Sequence, residues 1–404
     1  MKIISPNYIL TQNELVENQA IAFEKTIKKI APLDELTKLF PDTEVIKLQK
    51  NSLIMPGLIN SHVHVEFSKN KTSLSYGDFI NWLYSVIENR EELINGCDST
   101  CMQKAIEHML KNGITTFGAI SSHGMDLEAC ANAKQNVVFF NELIGSQASM
   151  ADALFGDFLA RLDSSKSVKR DGFYPAVAIH SPYSVHPILI KKALEVVKDE
   201  GLKLTAHFME SQAERDWLDK SDGDFADFFQ NLLKQNSNIS DSKEFLEHFE
   251  TKKALLTHVV KANEDELKKL SANNHTVIHC PISNRLLGNG ALDIKQLEKH
   301  NIKWIVATDG LSSNYTLDLF EELKIALFMH SDMPLLEFAK KLINSVTVEA
   351  GKALELNTGE IKEGKNADML VLDLDSKPTQ EIWIHLILQR YNISQIYING
   401  ILAR

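Results

Sequence analysis

The chain has 404 residues, 44% of them hydrophobic and 24% charged, with a formal net charge of −11. That balance is ordinary for a globular protein with a sizeable core, and with no concentrated basic run it excludes a general nucleic-acid binder. No apolar stretch reaches the roughly 20 residues of a membrane span, polar and acidic residues interrupt the N-terminus too early for a signal peptide, and the four cysteines form no C-x-x-C pair, so the expectation is a cytoplasmic enzyme without membrane partner, disulfide framework or Cys-type zinc site.

In chain order, residues 1–52 carry short alternating stretches, such as Glu44-Val45-Ile46-Lys47-Leu48, bounded by Gly, Pro and Asn. An apolar run then ends in Pro56-Gly57-Leu58-Ile59-Asn60-Ser61-His62-Val63-His64. Side chains alternate along a strand, so His62 and His64 project from one face at its end, an arrangement suited to a divalent metal. A long connection follows at 66–97, with helical pattern in Phe79-Ile80-Trp82-Leu83-Val86-Ile87. From residue 98 one unit recurs: amphipathic helix, turn residue, apolar strand, polar residue at the strand's end. The helix with Met102, Ala105, Ile106, Met109 and Leu110 stops at Asn112-Gly113 and gives way to the strand 114–117. Strands at 137–142 and 173–180 end in Glu142 and His180; the helix 189–200 leads through Gly201 to the strand 202–207, ending in His207 with Glu210 three residues on. A second long connection covers 211–253, and loops of such length over a barrel mouth are often lids. Strands at 254–258, 275–279 and 302–309 end in His258, His279 and Asp309. Residues 356–404 return to short alternating stretches.

Eight strands separated by helices call for a parallel sheet, and eight is the number that closes a (β/α)8 barrel, whose active sites lie at strand C-terminal ends. No G-x-G-x-x-G supports the doubly wound alternative. The organisation read from the sequence is therefore a (β/α)8 TIM barrel at 53–355 and a small β-sandwich assembled from 1–52 and 356–404. His207 suits a metal ligand, and Glu210 suits a proton shuttle beside a metal-bound water. His258 suits either a ligand or a base beside that water. Asp309 is expensive to bury unpaired, which a metal or an acid–base role explains. His180, Glu142 and His279 stand at strand ends as candidates for substrate contact.

Taken in order, P-G-L-I-N-S-H-V-H (56–64), H-S-P-Y (180–183), H-F-M-E (207–210), His258, H-C-P-I-S-N (279–284), T-D-G (308–310) and G-E-I-K-E-G-K-N-A-D (359–368) resemble the amidohydrolase superfamily over nearly the full length. The resemblance implies a barrel with a small β-sandwich. The fourth strand ends Ala178-Ile179-His180, without a lysine to be carbamylated between two metals, and so resembles the one-metal deaminase branch. What that implies is one divalent ion, zinc or iron, held by His62, His64, His207 and Asp309, with Glu210, His258 and Asp309 catalytic in a hydrolytic deamination. The segments G-D-F-I-N-W-L (77–83) and N-E-L-I-G (141–145) are most similar to the 6-aminodeoxyfutalosine deaminases of menaquinone biosynthesis, whose substrate is an adenine nucleoside with a benzoate-bearing chain at its 5′ end. Deaminases of S-adenosylhomocysteine, methylthioadenosine or other nucleobases, and related chlorohydrolases and amide hydrolases, are the alternatives. An anionic tail calls for a cation at the barrel mouth. Arg90, Arg161, Arg215 and Arg285 are the loop-side candidates, with Arg285 foremost for its place beside Asn284, and Trp82 is a candidate wall for the aromatic part. The branch also implies a small-molecule nucleoside partner and a possible homodimer.

Overall fold

The computed structural model describes residues 1–69 and 74–404. Eight parallel strands, Leu58–Val63, Ile114–Ser121, Asn136–Leu143, Phe173–Ile179, Leu204–Phe208, Leu255–His258, Thr276–His279 and Lys303–Val306, stand side by side in chain order. Their sequences are apolar on both faces because helices cover the outside and side chains fill the inside; all of Asn136–Leu143 is buried. Ile59, Ile120, Phe140, Ala178, Leu255, Ile278 and Ile305, drawn from seven of these strands, meet in one buried cluster.

The seam between the first and eighth strands brings the chemistry together. It is made by the backbone bond from Asp309 N–H to the His62 carbonyl, 3.1 Å. The Asn60 amide reinforces it, donating from Nδ2 to Thr308 Oγ1 at 2.8 Å and accepting the Thr308 N–H at 3.1 Å. A side-chain amide thus completes the ladder where regular pairing stops, and it seats Asp309 beside the His-x-His strand.

The helices begin and end where local chemistry requires. Asp98 caps Ser99–Lys111 by accepting the Cys101 N–H at 2.9 Å, and the predicted residues Met102, Ala105, Ile106, Met109 and Leu110 form its buried face. At Gly113, φ is +86° and a Cβ would lie 2.7 Å from Leu370 Cδ1, so both the backbone and the packing require glycine. Cys97 and Cys101 are joined by a disulfide with Cα atoms 5.2 Å apart. This corrects the expectation drawn from the missing C-x-x-C spacing: the turn from the end of the long connection into the helix brings a C-x-x-x-C pair together.

Both chain ends form sheets. One has four strands, ordered Ile27–Ala31, Ala20–Phe23, Lys2–Ser5 and Glu44–Lys47. The other has six, ordered Ile401–Leu402, Asn392–Ile398, Met369–Asp373, Ser52–Pro56, Tyr8–Leu10 and Leu15–Glu17. The strand Ser52–Pro56 belongs to this second sheet, and the chain crosses into the barrel at Gly57, where a Cβ would overlap the Thr115 side chain at 2.1 Å. The C-terminal segment also carries a helix, Ile382–Leu388, whose Ile382, Trp383 and Leu386 share a core with Leu323, Phe338 and Leu342 on the barrel's outer helices. No helix among the described residues is long and apolar enough to cross a membrane.

The two long connections carry helices at Phe79–Glu88 and Arg90–Asn95, and at Gln212–Lys220, Asp224–Leu233 and Ser242–His248. They meet through aromatic contacts, Phe79 to Phe225 at 6.0 Å and Tyr84 to Phe228 at 5.4 Å between ring centroids. Residues 70–73 of the first connection, part of the expected lid, lie outside the described residues.

Candidate active site

His62 and His64 stand on and just beyond the first strand, with ring centroids 5.1 Å apart, and His207 on the fifth strand lies 4.9 Å and 5.6 Å from them. Potential ligand nitrogens of the three lie within 4.8 Å of one another. Asp309 follows the eighth strand with φ of +59°, which turns its carboxylate back over the mouth. Its Oδ1 lies 3.6 Å from His62 Nε2 and 3.5 Å from His64 Nε2. Oδ1 accepts the Gly310 N–H at 2.8 Å, and Oδ2 accepts the Ser283 and Ser313 hydroxyls at 2.8 Å and 2.7 Å. Burial pushes the Asp309 carboxyl up, but the adjacent His62, His64 and His258 imidazoles outweigh it and hold the group well below the usual range.

This set fits a divalent metal. His62 Nε2 is buried and has no hydrogen-bond partner among the described residues, an unpaired polar atom that a ligand would satisfy. His207 Nδ1 lies 2.9 Å from the His180 carbonyl, which only accepts, so Nδ1 carries the proton and Nε2 keeps its lone pair. Burial, followed by the neighbouring imidazoles, pushes His207 well down; burial pushes His64 to about 3 despite the charge of Asp309. Burial thus favours the neutral form of His64 and His207, in which a ring nitrogen is available as a ligand. Three nitrogens and one carboxylate oxygen suit zinc, iron or manganese.

Glu210 lies beside this centre. Its Oε1 is 3.5 Å from His258 Nε2 and accepts Asn289 Nδ2 at 3.2 Å. Burial, then the charges of Asp309 and Glu214, push its carboxyl well above the usual range against the Asn289 bond. A carboxyl whose burial favours its neutral form is suited to donate a proton. The loop carrying it turns at Met209, φ +51°, and the Glu214 carboxylate holds that turn by accepting the Met209 N–H at 2.9 Å and the Glu210 N–H at 2.8 Å.

His258 and Val259 are also left-handed, at φ +73° and +56°. Left-handed backbone is strained for residues other than glycine, and most of all for a β-branched valine; here it bends the sixth strand's end into the mouth. His258 Nδ1 donates to Asn284 Oδ1 at 2.9 Å, leaving Nε2 toward Glu210. Asn284 Nδ2 in turn donates to His279 Nδ1 at 3.4 Å, and His279 Nε2 donates to His330 Nε2 at 3.0 Å. Burial pushes His258 down to about 4 against the pull of Asp309.

His64, His207, Glu210, His258 and Asp309 line a cavity of about 350 Å³ together with His180, Glu142 and Trp82. His180 Nδ1 bonds Ser184 Oγ at 2.6 Å. Glu142 Oε2 accepts the Ser122 hydroxyl at 2.5 Å, while its buried Oε1, 3.9 Å from His207 Nδ1, has no hydrogen-bond partner among the described residues. Burial, against the Ser122 bond, pushes this carboxyl up to about 7. Trp82 Nε1 donates to the Ser312 carbonyl at 2.8 Å, tying the first connection to the loop after Asp309.

Two candidates for substrate contact lie elsewhere. His279 is turned away from the cavity toward His330 and backs Asn284. Arg285 is exposed and does not line the cavity, because the helix Pro281–Leu286 presents Asn284 inward and its neighbour outward. Sequence reasoning missed Glu214, Asn284, Asn289, Ser283 and Ser313 as supports. Only Glu214 had a local signal, as the residue three after the capping Ser211, whose Oγ accepts its N–H at 3.1 Å.

A (β/α)8 barrel with such a donor set at its strand ends and a buried carboxyl beside it is the architecture of a hydrolase. The chain belongs to the amidohydrolase family, whose model matches residues 53–402. It is 46% identical over 402 residues to the aminodeoxyfutalosine deaminase of a Nitratiruptor species, covering 99% of this chain and 98% of that one. It is 35% identical over 373 residues to an adenosine deaminase of Helicobacter pylori, covering 91% and 90%. The crystal structure of Helicobacter pylori aminofutalosine deaminase in complex with methylthio-coformycin superposes with a TM-score of 0.95 at 33% identity, covering all of both chains.

Proposed function

We propose that this chain hydrolytically deaminates an adenine nucleoside, with 6-aminodeoxyfutalosine as substrate and futalosine and ammonia as products, a step of menaquinone biosynthesis. The observation that carries the reading is the buried Glu210 carboxyl, 3.5 Å from His258 Nε2, next to the His62–His64–His207–Asp309 set. A carboxylic acid is what a purine needs there, because protonating the ring nitrogen makes the adjacent amino-bearing carbon electrophilic. The 46% identity to an aminodeoxyfutalosine deaminase supports the particular nucleoside.

His62, His64, His207 and Asp309 would hold one divalent ion, zinc or iron, which when bound lowers the pKa of water toward neutrality. Glu210 donates its proton to purine N1. Asp309 accepts a proton from the attacking water, whose oxygen bonds to C6, while His258 Nε2 orients that oxygen. Asp309 then passes its proton to the amino group, the C6–N bond breaks and ammonia leaves, and the remaining C6 hydroxyl proton returns to Glu210. Water gives up both protons and its oxygen, so the product carries a carbonyl at C6. Trp82 and His180 bound the nucleoside, and Glu142 Oε1, without a hydrogen bond among the described residues, offers a contact to a sugar hydroxyl.

The test is ammonia release by metal-replete protein from aminodeoxyfutalosine, S-adenosylhomocysteine, methylthioadenosine, adenosine, guanine and cytosine. The expected result is release from aminodeoxyfutalosine in clear preference to the others. Preference for another amine would retain the deaminase and discard the substrate; silence across the panel would bring forward the chlorohydrolase and amide-hydrolase alternatives.

A further inference from the structure

A chain of four polar side chains, His258, Asn284, His279 and His330, runs from the catalytic mouth to the outer helices, with separations of 2.9, 3.4 and 3.0 Å. All four are buried. His330 ends the helix Leu319–Met329, its N–H donating to the Ala326 carbonyl at 3.1 Å, and its ring packs on Phe338 with centroids 5.7 Å apart. Neither His330 nor His279 lines the catalytic cavity, so both reach the chemistry only through the chain.

The chain carries direction as well as position. A side-chain amide offers an acceptor on one side and a donor on the other, and a neutral imidazole does the same across its ring. Burial favours the neutral form of His279, which carries one ring proton. When its Nε2 donates to His330, its Nδ1 accepts from Asn284 Nδ2, and Asn284 Oδ1 accepts from His258 Nδ1. His258 Nε2 then keeps a lone pair for the mouth. Were His279 Nε2 to accept instead, each bond would reverse, and His258 would show an N–H there. The outer end selects between the two arrangements. Asp332 and Asp293, both exposed, act on His330, and Lys295 pairs with Asp332 at 2.7 Å. The two carboxylates draw the His330 proton to the solvent side of its ring and leave Nε2 to accept.

Asn284 also couples this chain to the catalytic acid. Its backbone carbonyl accepts the Asn289 N–H at 2.9 Å, and Asn289 Nδ2 donates to Glu210 Oε1 at 3.2 Å. The residue that orients His258 therefore seats the support of Glu210.

We propose that His330 and His279 are positioning residues for the reaction: through Asn284 they hold His258 in the tautomer whose Nε2 accepts a hydrogen from the attacking water. This rests on the deaminase reading above and adds to it two residues outside the cavity.

The experiment records the ¹⁵N resonances of the His258 ring in histidine-labelled, metal-replete protein, identified by their loss in His258→Gln. The kcat and KM for aminodeoxyfutalosine are measured alongside. Wild type is compared with His330→Leu, which removes the acceptor, and His330→Gln, whose amide oxygen restores it. The expected wild-type ring is protonated on Nδ1. In His330→Leu an Nε2-protonated population appears, and kcat falls about tenfold or more with KM within about twofold of wild type. His330→Gln regains the wild-type ring state and most of the rate. A wild-type His258 protonated on Nε2 would overturn the proposal, and so would an unchanged ring state in folded His330→Leu, whatever its rate. If His330→Leu loses its fold or metal, the other two proteins decide: an Nδ1 proton in both supports the relay, and an Nε2 proton in either overturns it. In all these cases the deaminase stands as long as wild type releases ammonia. Release from no nucleoside would overturn the deaminase reading and this inference with it.

Discussion

Glu214→Gln tests whether the catalytic acid is aimed by its support. Each Glu214 oxygen accepts one backbone N–H, from Met209 at 2.9 Å and from Glu210 at 2.8 Å, and the side chain is buried. Glutamine keeps the shape but has one carbonyl oxygen, so its NH2 group faces the other N–H. Leaving a buried donor without an acceptor costs about 1–3 kcal/mol. That cost falls on the left-handed turn at Met209, the element that sets where the Glu210 carboxyl points. If it is expressed in the population of correctly aimed enzyme, kcat falls about 5- to 150-fold, since each 1.4 kcal/mol is about a factor of ten. The assay is steady-state kinetics on metal-replete protein, with metal content and thermal stability measured alongside. The expected pattern is a kcat loss with KM nearly unchanged and metal retained. A kcat within about twofold of wild type, or an effect confined to KM, would refute the positioning argument.

Glu210→Gln is expected to bind substrate nearly normally and lose most of its rate; a mainly KM effect would count against proton donation. Trp82→Ala is expected to lower kcat/KM for a nucleoside with a bulky aromatic 5′ group about two- to tenfold more than for adenosine, and equal losses would make Trp82 a tie to Ser312 only. Burial raises the Glu214 carboxyl from its ordinary 4.5 to about 7 in the folded protein. The stability contributed by its protonated form is therefore complete below pH 4.5 and is lost as pH rises through about 7. Glutamine carries no such dependence, so the stability of wild type relative to Glu214→Gln should fall by about 3 kcal/mol across that window in chemical denaturation. A constant difference would show that the group titrates normally.

The barrel was legible because its units repeat: each strand is an apolar run, each helix an amphipathic one, and Asn112-Gly113 and Gly201 mark turns. The four proposed metal ligands and Glu210 were legible because their elements end where the motifs stand. His279 and His258 shared that strand-end signal, yet their rings face different neighbours. Every residue of Thr276–His279 is buried, so alternation with a solvent face could not tell inward from outward. Arg285 beside Asn284 was misleading because adjacent helical residues diverge by about 100°. Asn289, Ser283 and Ser313 act through contacts between distant loops, which leave no trace in local spacing. The helix Ile382–Leu388 stood within a segment read as β because its apolar run, buried against neighbouring helices, shows no clean period.

Hydrolytic deamination is tested most directly by turnover of aminodeoxyfutalosine in H2¹⁸O, with ammonia and product mass followed together. The account predicts one ammonia per product and one ¹⁸O at purine C6, in wild type and not in Asp309→Asn. Product formed without ammonia, or a rate in Asp309→Asn above about a tenth of wild type, a loss of under about 1.4 kcal/mol in transition-state stabilisation, would contradict it.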